Sequence, residues 1–276
     1  MSRRPLRRTI PVQPRPSPNH NERRTPVDMI VLHYTGMSSL PEVLDKLTDP
    51  QSELSAHFVV DVDGRIFQLV GDERRAWHAG VSNWQGQRDV NSRSIGIEIM
   101  NNGKTRFTDE QIGSVLAICK TMMARHNIPP HHVVGHSDVA PGRKIDPGPL
   151  FPWTYLAQYG VGLYPEPTLR DYFATTGKKS DLGYVRSMLA RCGYGNDFSP
   201  NPTPPLRDIV AAFQARHETD VYTHTPDKVG IPTHRTVALL RACVRAYEQA
   251  EADYRRTLGN TAPPRKPPSN PQGPRP

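Results

Sequence analysis

The sequence contains no long apolar run, and this absence argues against a membrane-spanning protein. None of its 276 residues belong to a run approaching the ~18 consecutive apolar residues of a membrane span, and the N-terminus lacks the apolar stretch of a signal peptide. Cysteine is scarce, and Cys119, Cys192 and Cys243 are widely spaced without a CxxC pair. We therefore expect no membrane span and no disulfide framework, and we expect the cysteines to pack in a core.

Positive charge is scarce in the part of the chain that is predicted to fold. The net charge is +8, but residues 1–24 carry seven Arg and one Glu, and residues 255–276 carry four Arg and one Lys without an acid. The remaining residues 25–254 have a net charge of −3. Because the phosphate backbone dominates nucleic-acid binding, a folded body without a broad basic face indicates that the protein does not bind nucleic acid.

The composition divides the chain into four parts. Residues 1–26 repeat Pro and Arg without hydrophobic periodicity, which predicts a disordered basic arm, and the Pro-rich residues 257–276 predict a disordered tail. Between them, residues 27–160 predict an α/β domain, a central mixed β-sheet flanked by helices, with the fold starting near Val27. Residues 166–256 predict a small three-helix C-terminal domain.

Local patterns place the elements of these domains. Strand-like runs lie at residues 29–32, 57–62, 65–70, 94–99 and 133–134. The dipeptide Asp63-Gly64 predicts a hairpin between the second and third of them. Helical patterns lie at residues 39–47, 108–126, 153–160, 181–191, 206–217 and 234–254. Thr108 is the expected N-cap of the second helix, which ends near His126.

Chemistry-bearing side chains stand at the ends of these strands. His33 follows one strand, His136 follows another, and Glu98 lies on a strand face opposite its apolar neighbours. Asp138 and Asp146 are rival carboxylates in the segment after His136. Two imidazoles and one carboxylate are the ligand set of a catalytic zinc site, which keeps a fourth position open for water. A second carboxylate, for which Glu98 is the candidate, is needed to move the proton of that water.

The same segments resemble the zinc amidase superfamily of phage lysozyme amidases, peptidoglycan recognition proteins and bacterial N-acetylmuramoyl-L-alanine amidases. The resemblance covers roughly residues 27–157. It rests on five ordered blocks: Leu32-His33-Tyr34-Thr35, Ser55-Ala56-His57-Phe58, Ala76-Trp77-His78-Ala79-Gly80, Ser94-Ile95-Gly96-Ile97-Glu98, and Gly135-His136-Ser137-Asp138 through Lys144-Ile145-Asp146-Pro147-Gly148. It implies Zn²⁺ as cofactor and peptidoglycan or muropeptides as substrate.

The resemblance also assigns roles to individual residues. It implies that His33, His136 and Asp146 are the zinc ligands, which favours Asp146 over Asp138. Glu98 becomes the general base and Lys144 the cation that stabilises the oxyanion. The expected reaction is hydrolysis of the amide bond between the lactyl group of N-acetylmuramic acid and L-alanine.

Several aromatic side chains in these blocks are compatible with two roles. Tyr34, Trp77 and His78 either line the cleft and contact the substrate or pack in the core. His57 is not needed to complete the zinc shell, so we interpret it as structural or as a support for the ligands. Three further histidines are expected to be solvated, namely His126, His131 and His132.

The C-terminal helices resemble a peptidoglycan-binding module. The resemblance rests on Val185, Leu189, Gly193-Tyr194-Gly195, Ala212-Phe213-Gln214-Ala215-Arg216-His217 and Thr236-Val237-Ala238-Leu239-Leu240. Two alternatives to the amidase stay open, a non-catalytic peptidoglycan-binding protein and a zinc peptidase that cuts stem-peptide bonds. We expect a monomer in the cytoplasm, with the periplasm or cell envelope as the alternative location.

Overall fold

The computed structural model describes residues 11–195, 198 and 201–257, and it has the α/β architecture predicted from the sequence. The strands are β1 (Val12–Pro14), β2 (His20–Glu22), β3 (Met29–Tyr34), β4 (Phe58–Val60), β5 (Ile66–Gln68), β6 (Arg74–Ala76), β7 (Ser94–Ile99) and β8 (Val133–Gly135). The predicted Pro-rich tail, residues 257–276, lies outside the described residues except for Thr257.

The helices alternate with the strands in the first half of the chain and follow one another in the second. They are α1 (Leu40–Thr48), α2 (Val90–Arg93), α3 (Asp109–His126), α4 (His136–Val139), α5 (Trp153–Gln158), α6 (Leu169–Ala174), α7 (Leu182–Arg191), α8 (Leu206–His217), α9 (Asp220–His224) and α10 (His234–Thr257). Single 3-10 turns lie at Pro50–Ser52, Pro130–His132, Lys178–Ser180 and Pro226–Lys228. All six predicted helices are confirmed, and Thr108 caps α3 by accepting a hydrogen bond from the backbone of Gln111 at 3.1 Å.

Six strands form one mixed sheet in the order β1-β5-β4-β7-β3-β8, and β2 pairs with β6 in a separate ribbon. Strands β4, β7, β3 and β8 are parallel, whereas β4 and β5 are antiparallel and form the hairpin predicted at Asp63-Gly64. The carboxyl ends of parallel strands meet at one edge of a sheet, which is where α/β proteins place their ligand sites.

The two faces of the sheet have different neighbours. Ile30, Leu32 and Ile97 pack against the apolar side of α3 in one core cluster. Met29 and Val31, which point the other way, belong to a second cluster that includes residues of α7, α8 and α10. The three cysteines are buried and free within these clusters, as expected. The C-terminal helices therefore share a hydrophobic core with the sheet, and their separation as a domain at residues 160–166 stays a prediction.

The expectation that the fold starts near Val27 is wrong for the described part of the basic arm, because residues 12–14 and 20–22 form strands β1 and β2. Strand β1 extends the main sheet, and the backbone N–H groups of Arg15 and Ser17 continue this pairing by donating to the carbonyls of Gln68, at the end of β5, and Leu69. The segment has no hydrophobic period because it is held by backbone hydrogen bonds and polar side chains. Residues 1–10 lie outside the described residues.

Arg23 fixes the end of this arm to the body of the protein. Its guanidinium donates hydrogen bonds of 2.8 to 3.2 Å to four backbone carbonyls, those of Asp72, Asn91, Ser92 and Ser94. The adjacent Arg24 has a side chain that is 75% exposed and only a 3.7 Å ion pair with Asp89. Arg23 therefore holds the arm against the body of the protein through hydrogen bonds, whereas Arg24 does not.

We predict that Arg23→Met lowers the free energy of unfolding by about 3 kcal/mol, because it leaves several buried carbonyls without a donor. Arg24→Met is the matched control and should change it by less than about 0.5 kcal/mol. Denaturant unfolding of both variants measures the difference. Equal stabilities of the two variants would contradict the assignment of residues 11–26 to the fold.

Within the described ranges, no helix combines the length and the apolar character that a membrane crossing requires.

Two of the three histidines expected to be solvated are instead buried, since His131 is 1% and His132 3% exposed. They lie on the 3-10 turn before β8 and are covered by α10, a tertiary contact that local sequence does not encode. His126 is partly buried and pairs with Asp72 at 2.7 Å.

Candidate metal centre

The register of three parallel strands brings the predicted site residues to one level of the sheet. His33 on β3 is paired with Glu98 on β7. On the other side Leu32 is paired with Gly135 of β8, so His136, the next residue, continues at the level of His33. Because paired residues of neighbouring strands point to the same face, the three side chains share one face of the sheet.

Three candidate ligand atoms meet at a single point. His33 Nδ1 lies 2.9 Å from His136 Nδ1, and Asp146 Oδ2 lies 3.0 Å from each of them. Asp146 comes from the turn after α4, where its backbone carbonyl accepts a hydrogen bond from the backbone N–H of Ser137 at 2.9 Å. All three residues are buried. These are the three residues that the family resemblance implied as ligands.

The far edge of each imidazole ring is held by a hydrogen bond. His136 Nε2–H donates to the carbonyl oxygen of Ala79 at 3.1 Å, which leaves the lone pair of the neutral ring on Nδ1. His33 Nε2 lies 3.0 Å from Nδ1 of His78, whose Nε2 lies 3.1 Å from the hydroxyl of Ser94. Such outer partners fix the tautomer and the orientation of a metal-binding histidine.

The donor set fits a zinc ion. Zinc–ligand distances of about 2.0–2.1 Å in a tetrahedron place ligand atoms roughly 3.4 Å apart, and the observed separations need only a small expansion. Burial lowers the pKa of His33 to about 4, so the ring is neutral near pH 7, as a ligand must be. The two histidines hold the pKa of Asp146 well below its usual range despite its burial. We conclude that these residues can hold Zn²⁺.

The alternative candidate carboxylate, Asp138, is hydrogen-bonded to other residues. Its Oδ2 accepts from the backbone N–H of Gly135 at 2.8 Å and from Arg216 Nη1 at 2.7 Å. Its Oδ1 accepts from the hydroxyl of Tyr194 at 2.7 Å. Asp138 therefore anchors α4 to the C-terminal helices and does not join the ligand set.

Glu98 and Lys144 differ in burial, since Glu98 is half-buried and Lys144 is exposed. Burial raises the pKa of the Glu98 carboxyl well above its usual range, and the negative charge of Asp146 adds to the rise. One carboxylate oxygen of Glu98 is buried without a hydrogen-bond partner among the described residues. The positive charge of Lys144 acts in the opposite direction on the same pKa.

The three candidate substrate contacts occupy different positions. His78 is 8% exposed and lies behind His33, on the edge of that ring away from the ligand cluster. Trp77 is half-buried, and its indole N–H donates to the side-chain oxygen of Asn21 on β2 at 3.1 Å. Tyr34 is half-buried, and its burial, with the charge of Asp146 as a second cause, raises the pKa of its hydroxyl. Of the three, His78 is placed to support a ligand rather than to meet a substrate.

Sequence reasoning missed several supports of this centre. Arg143 Nη2 lies 2.5 Å from the carbonyl of Ala79 and 2.6 Å from that of Val81, and so holds the loop that orients His136. Gly96 on β7 leaves room for His78, because a Cβ there would lie 2.5 Å from its ring. A glycine inside a strand is a signal of such a close approach, and it was available in the sequence.

His57 lies outside the group of candidate ligands and connects this centre to the N-terminal arm. Its Nδ1 accepts from the backbone N–H of Gly96 at 2.9 Å, and its Nε2 lies 2.8 Å from Arg23 Nη2. Burial, reinforced by the charge of Arg23, lowers the pKa of His57 to about 3. The ring is therefore kept neutral in the folded protein.

This pKa predicts a specific loss of stability in acid. Between about pH 6.5 and 3 the unfolded chain protonates His57 while the folded chain does not, so stability falls as the pH falls through this range, by about 1.4 kcal/mol for each unit of pKa difference. His57→Gln should flatten this part of the profile. Denaturant unfolding across the pH range measures it, with the exposed His224→Gln as control. An unchanged profile in His57→Gln would contradict the neutral buried state.

Comparisons with known proteins identify the family. Residues 23–149 match the Amidase_2 family model, described as N-acetylmuramoyl-L-alanine amidase. The amidase AmiD of Escherichia coli K12 is 36% identical over 244 residues, which cover 81% of this chain and 84% of AmiD. The similarity therefore extends along most of both chains.

Solved structures give the same result. The complex of E. coli AmiD with anhydro-N-acetylmuramic acid-L-Ala-D-γ-Glu-L-Lys has a TM-score of 0.69 at 35% identity, covering 81% of this chain and 90% of that one. AmpDh3 from Pseudomonas aeruginosa in complex with anhydromuramic pentapeptide has a TM-score of 0.69 at 30% identity, covering 80% and 92%. The chain belongs to the N-acetylmuramoyl-L-alanine amidase family.

Proposed function

We propose that the protein hydrolyses the amide bond between N-acetylmuramic acid and L-alanine in muropeptides, with one zinc ion held by His33, His136 and Asp146. The observation that carries the proposal is the convergence of three ligand atoms within 3.0 Å of one another at the carboxyl ends of parallel strands. When bound, zinc lowers the pKa of water at its open coordination position and polarises the scissile carbonyl.

Glu98 is proposed as the general base. Glu98 is paired with His33 on the neighbouring strand. One of its carboxylate oxygens is buried and accepts no hydrogen bond from a described residue. A raised pKa brings a carboxyl group closer to the working pH, where it both accepts and returns protons efficiently. Glu98 therefore takes the proton of the attacking water and delivers it to the leaving amine of L-alanine, because an amine leaves poorly without a proton.

Lys144 is proposed to stabilise the negative charge that develops on the scissile carbonyl oxygen. It lies two residues before Asp146, and its ammonium group is close enough to act on the pKa of both Glu98 and His33. A fixed cation aimed at the developing oxyanion accelerates the reaction without contributing to substrate binding in the ground state.

We predict that Glu98→Gln retains zinc but loses about 10²- to 10⁴-fold in turnover, because it removes the proton carrier and leaves the ligands intact. Metal content and muropeptide cleavage are measured on the same preparation. Glu110→Gln, an exposed change on α3, is the matched control and should leave both unchanged. A near-normal rate in Glu98→Gln would remove this residue from the mechanism.

For Lys144→Met we expect a fall in kcat of about 10²- to 10³-fold with little change in KM, since the interaction forms only in the transition state. Steady-state kinetics on a defined muropeptide provide both constants. The exposed Lys104→Met serves as the control for loss of a surface charge. If instead KM rises and kcat stays constant, Lys144 binds the substrate and does not stabilise the oxyanion.

The product distinguishes the proposed reaction from its alternatives. The substrate class is suggested by the two relatives solved with anhydromuramic peptides. Mass spectrometry of an anhydromuramyl peptide digest should show release of a peptide with a free N-terminal L-alanine. Cleavage within the stem peptide would indicate a zinc peptidase, and binding without any cleavage would indicate a non-catalytic wall-binding protein. A cytoplasmic location, at which such fragments would be recycled, remains the expectation from the sequence.

A further inference from the structure

A second cluster of metal-ligating side chains lies where the last helix covers the sheet. His131 and His132 end the 3-10 turn Pro130–His132, directly before β8, and Glu251 faces them from α10. The rings of Tyr247 and Tyr254 on the same helix flank the two imidazoles, with centroid separations of 5.8 and 6.4 Å. The two histidines are buried, and the side chain of Glu251 is 35% exposed.

The geometry of this cluster matches that of a metal site. One ligand atom from each of the three residues lies within 4.8 Å of the other two. His131 Nε2 lies 3.1 Å from Glu251 Oε2, and the centroids of the two imidazole rings are 4.5 Å apart. Ligand atoms around a tetrahedral zinc ion are roughly 3.4 Å apart, so the three atoms must draw together by at most about 1.4 Å to share an ion.

The hydrogen bonds of His132 leave a lone pair inside the protein. Its Nδ1–H donates to the backbone carbonyl of Asp28 at 2.7 Å, so the lone pair of the neutral ring is on Nε2. That Nε2 atom is buried and has no hydrogen-bond partner in the part of the chain that the structure describes. A ring whose other nitrogen is fixed by a backbone carbonyl has the arrangement of a metal-binding histidine. An orphaned buried acceptor of this kind calls for a ligand.

An ion pair between His131 and Glu251 alone does not account for the cluster. It would satisfy Nε2 of His131 and leave Nδ1 of His131 and Nε2 of His132 without a partner among the described residues. Burial also lowers the pKa of His131 and lowers that of His132 to about 4, so both rings are neutral and available as ligands near pH 7. Glu251 supplies the negative charge, and its other oxygen accepts from Arg255 Nε at 2.7 Å.

We propose that His131, His132 and Glu251 bind a second divalent transition-metal ion, with zinc as the best fit to two imidazoles and one carboxylate. The ion would link α10 to the segment that leads into β8 and so to His136. It therefore has a structural role, holding the last helix against the sheet, and takes no part in the hydrolytic reaction. The partly exposed Glu251 provides the side from which the ion enters.

The test is the number of zinc ions bound per chain. The full-length protein is stripped with a chelator, and zinc is titrated back by calorimetry. We expect two equivalents for the wild-type chain and one for His132→Asn and for Glu251→Gln. Glu248→Gln, three residues earlier on α10, is the matched control because Glu248 pairs with Arg191 and lies outside the cluster. It should retain two equivalents.

The two sites are separated by a change at the first one. His136→Asn should bind one equivalent, and the double variant His136→Asn/Glu251→Gln should bind none. In the His136→Asn background, zinc at about 100 times its dissociation constant should raise Tm by about 5 °C, and Glu251→Gln should abolish that rise. This measurement decides the question even where His132→Asn fails to fold, since Glu251 is partly exposed.

Three results would overturn the second site. The first is a single equivalent of zinc in the wild-type chain that Glu251→Gln leaves unchanged. The second is a wild-type count of two that Glu251→Gln leaves unchanged, because the extra ion would then be bound elsewhere. The third is an absent zinc-dependent rise of Tm in His136→Asn. None of these depends on hydrolytic activity, so the second site and the proposed amidase reaction succeed or fail separately.

Discussion

The structure depends on one constraint, namely that two imidazoles and one carboxylate from distant parts of the chain meet within 3.0 Å. Bringing such groups out of water and into contact is costly unless a cation shares their lone pairs. The surrounding structure positions these groups. Strand register sets the level of His33 and His136, while His78 and the carbonyl of Ala79 orient their rings.

The C-terminal helices belong to this support. Arg216 on α8 pairs with the buried Asp138 two residues after His136, and its guanidinium lies 4.0 Å from the centroid of the Trp153 ring. Removing one member of a buried ion pair typically costs 3–5 kcal/mol, because the other charge is left unpaired. The helices also complete the core beneath the site through Phe213 and Leu239. Whatever they bind, they help to position His136, a candidate metal ligand, and they are more than an appended module.

The sequence predicted those parts of the protein that local patterns encode. Strand patterns, the Asp63-Gly64 hairpin, the capped helix at Thr108 and the strand-end histidines all depend on residues close together in the chain. The N-terminal strands were missed because they are held by backbone pairing and by the polar contacts of Arg23, which produce no hydrophobic period. The burial of His131 and His132 was missed because their cover, α10, lies more than a hundred residues later. Choosing Asp146 over Asp138 required the family resemblance at first, and the partners of Asp138 now explain that choice.

The most direct test of this account is a crystal structure of the zinc-loaded protein with an anomalous difference map recorded at the zinc edge. The account predicts a peak about 2.0–2.1 Å from Nδ1 of His33, Nδ1 of His136 and a carboxylate oxygen of Asp146, with a further position open to solvent beside Glu98. A zinc-loaded crystal without a peak between these residues, or with the ion on Asp138 instead, would contradict it.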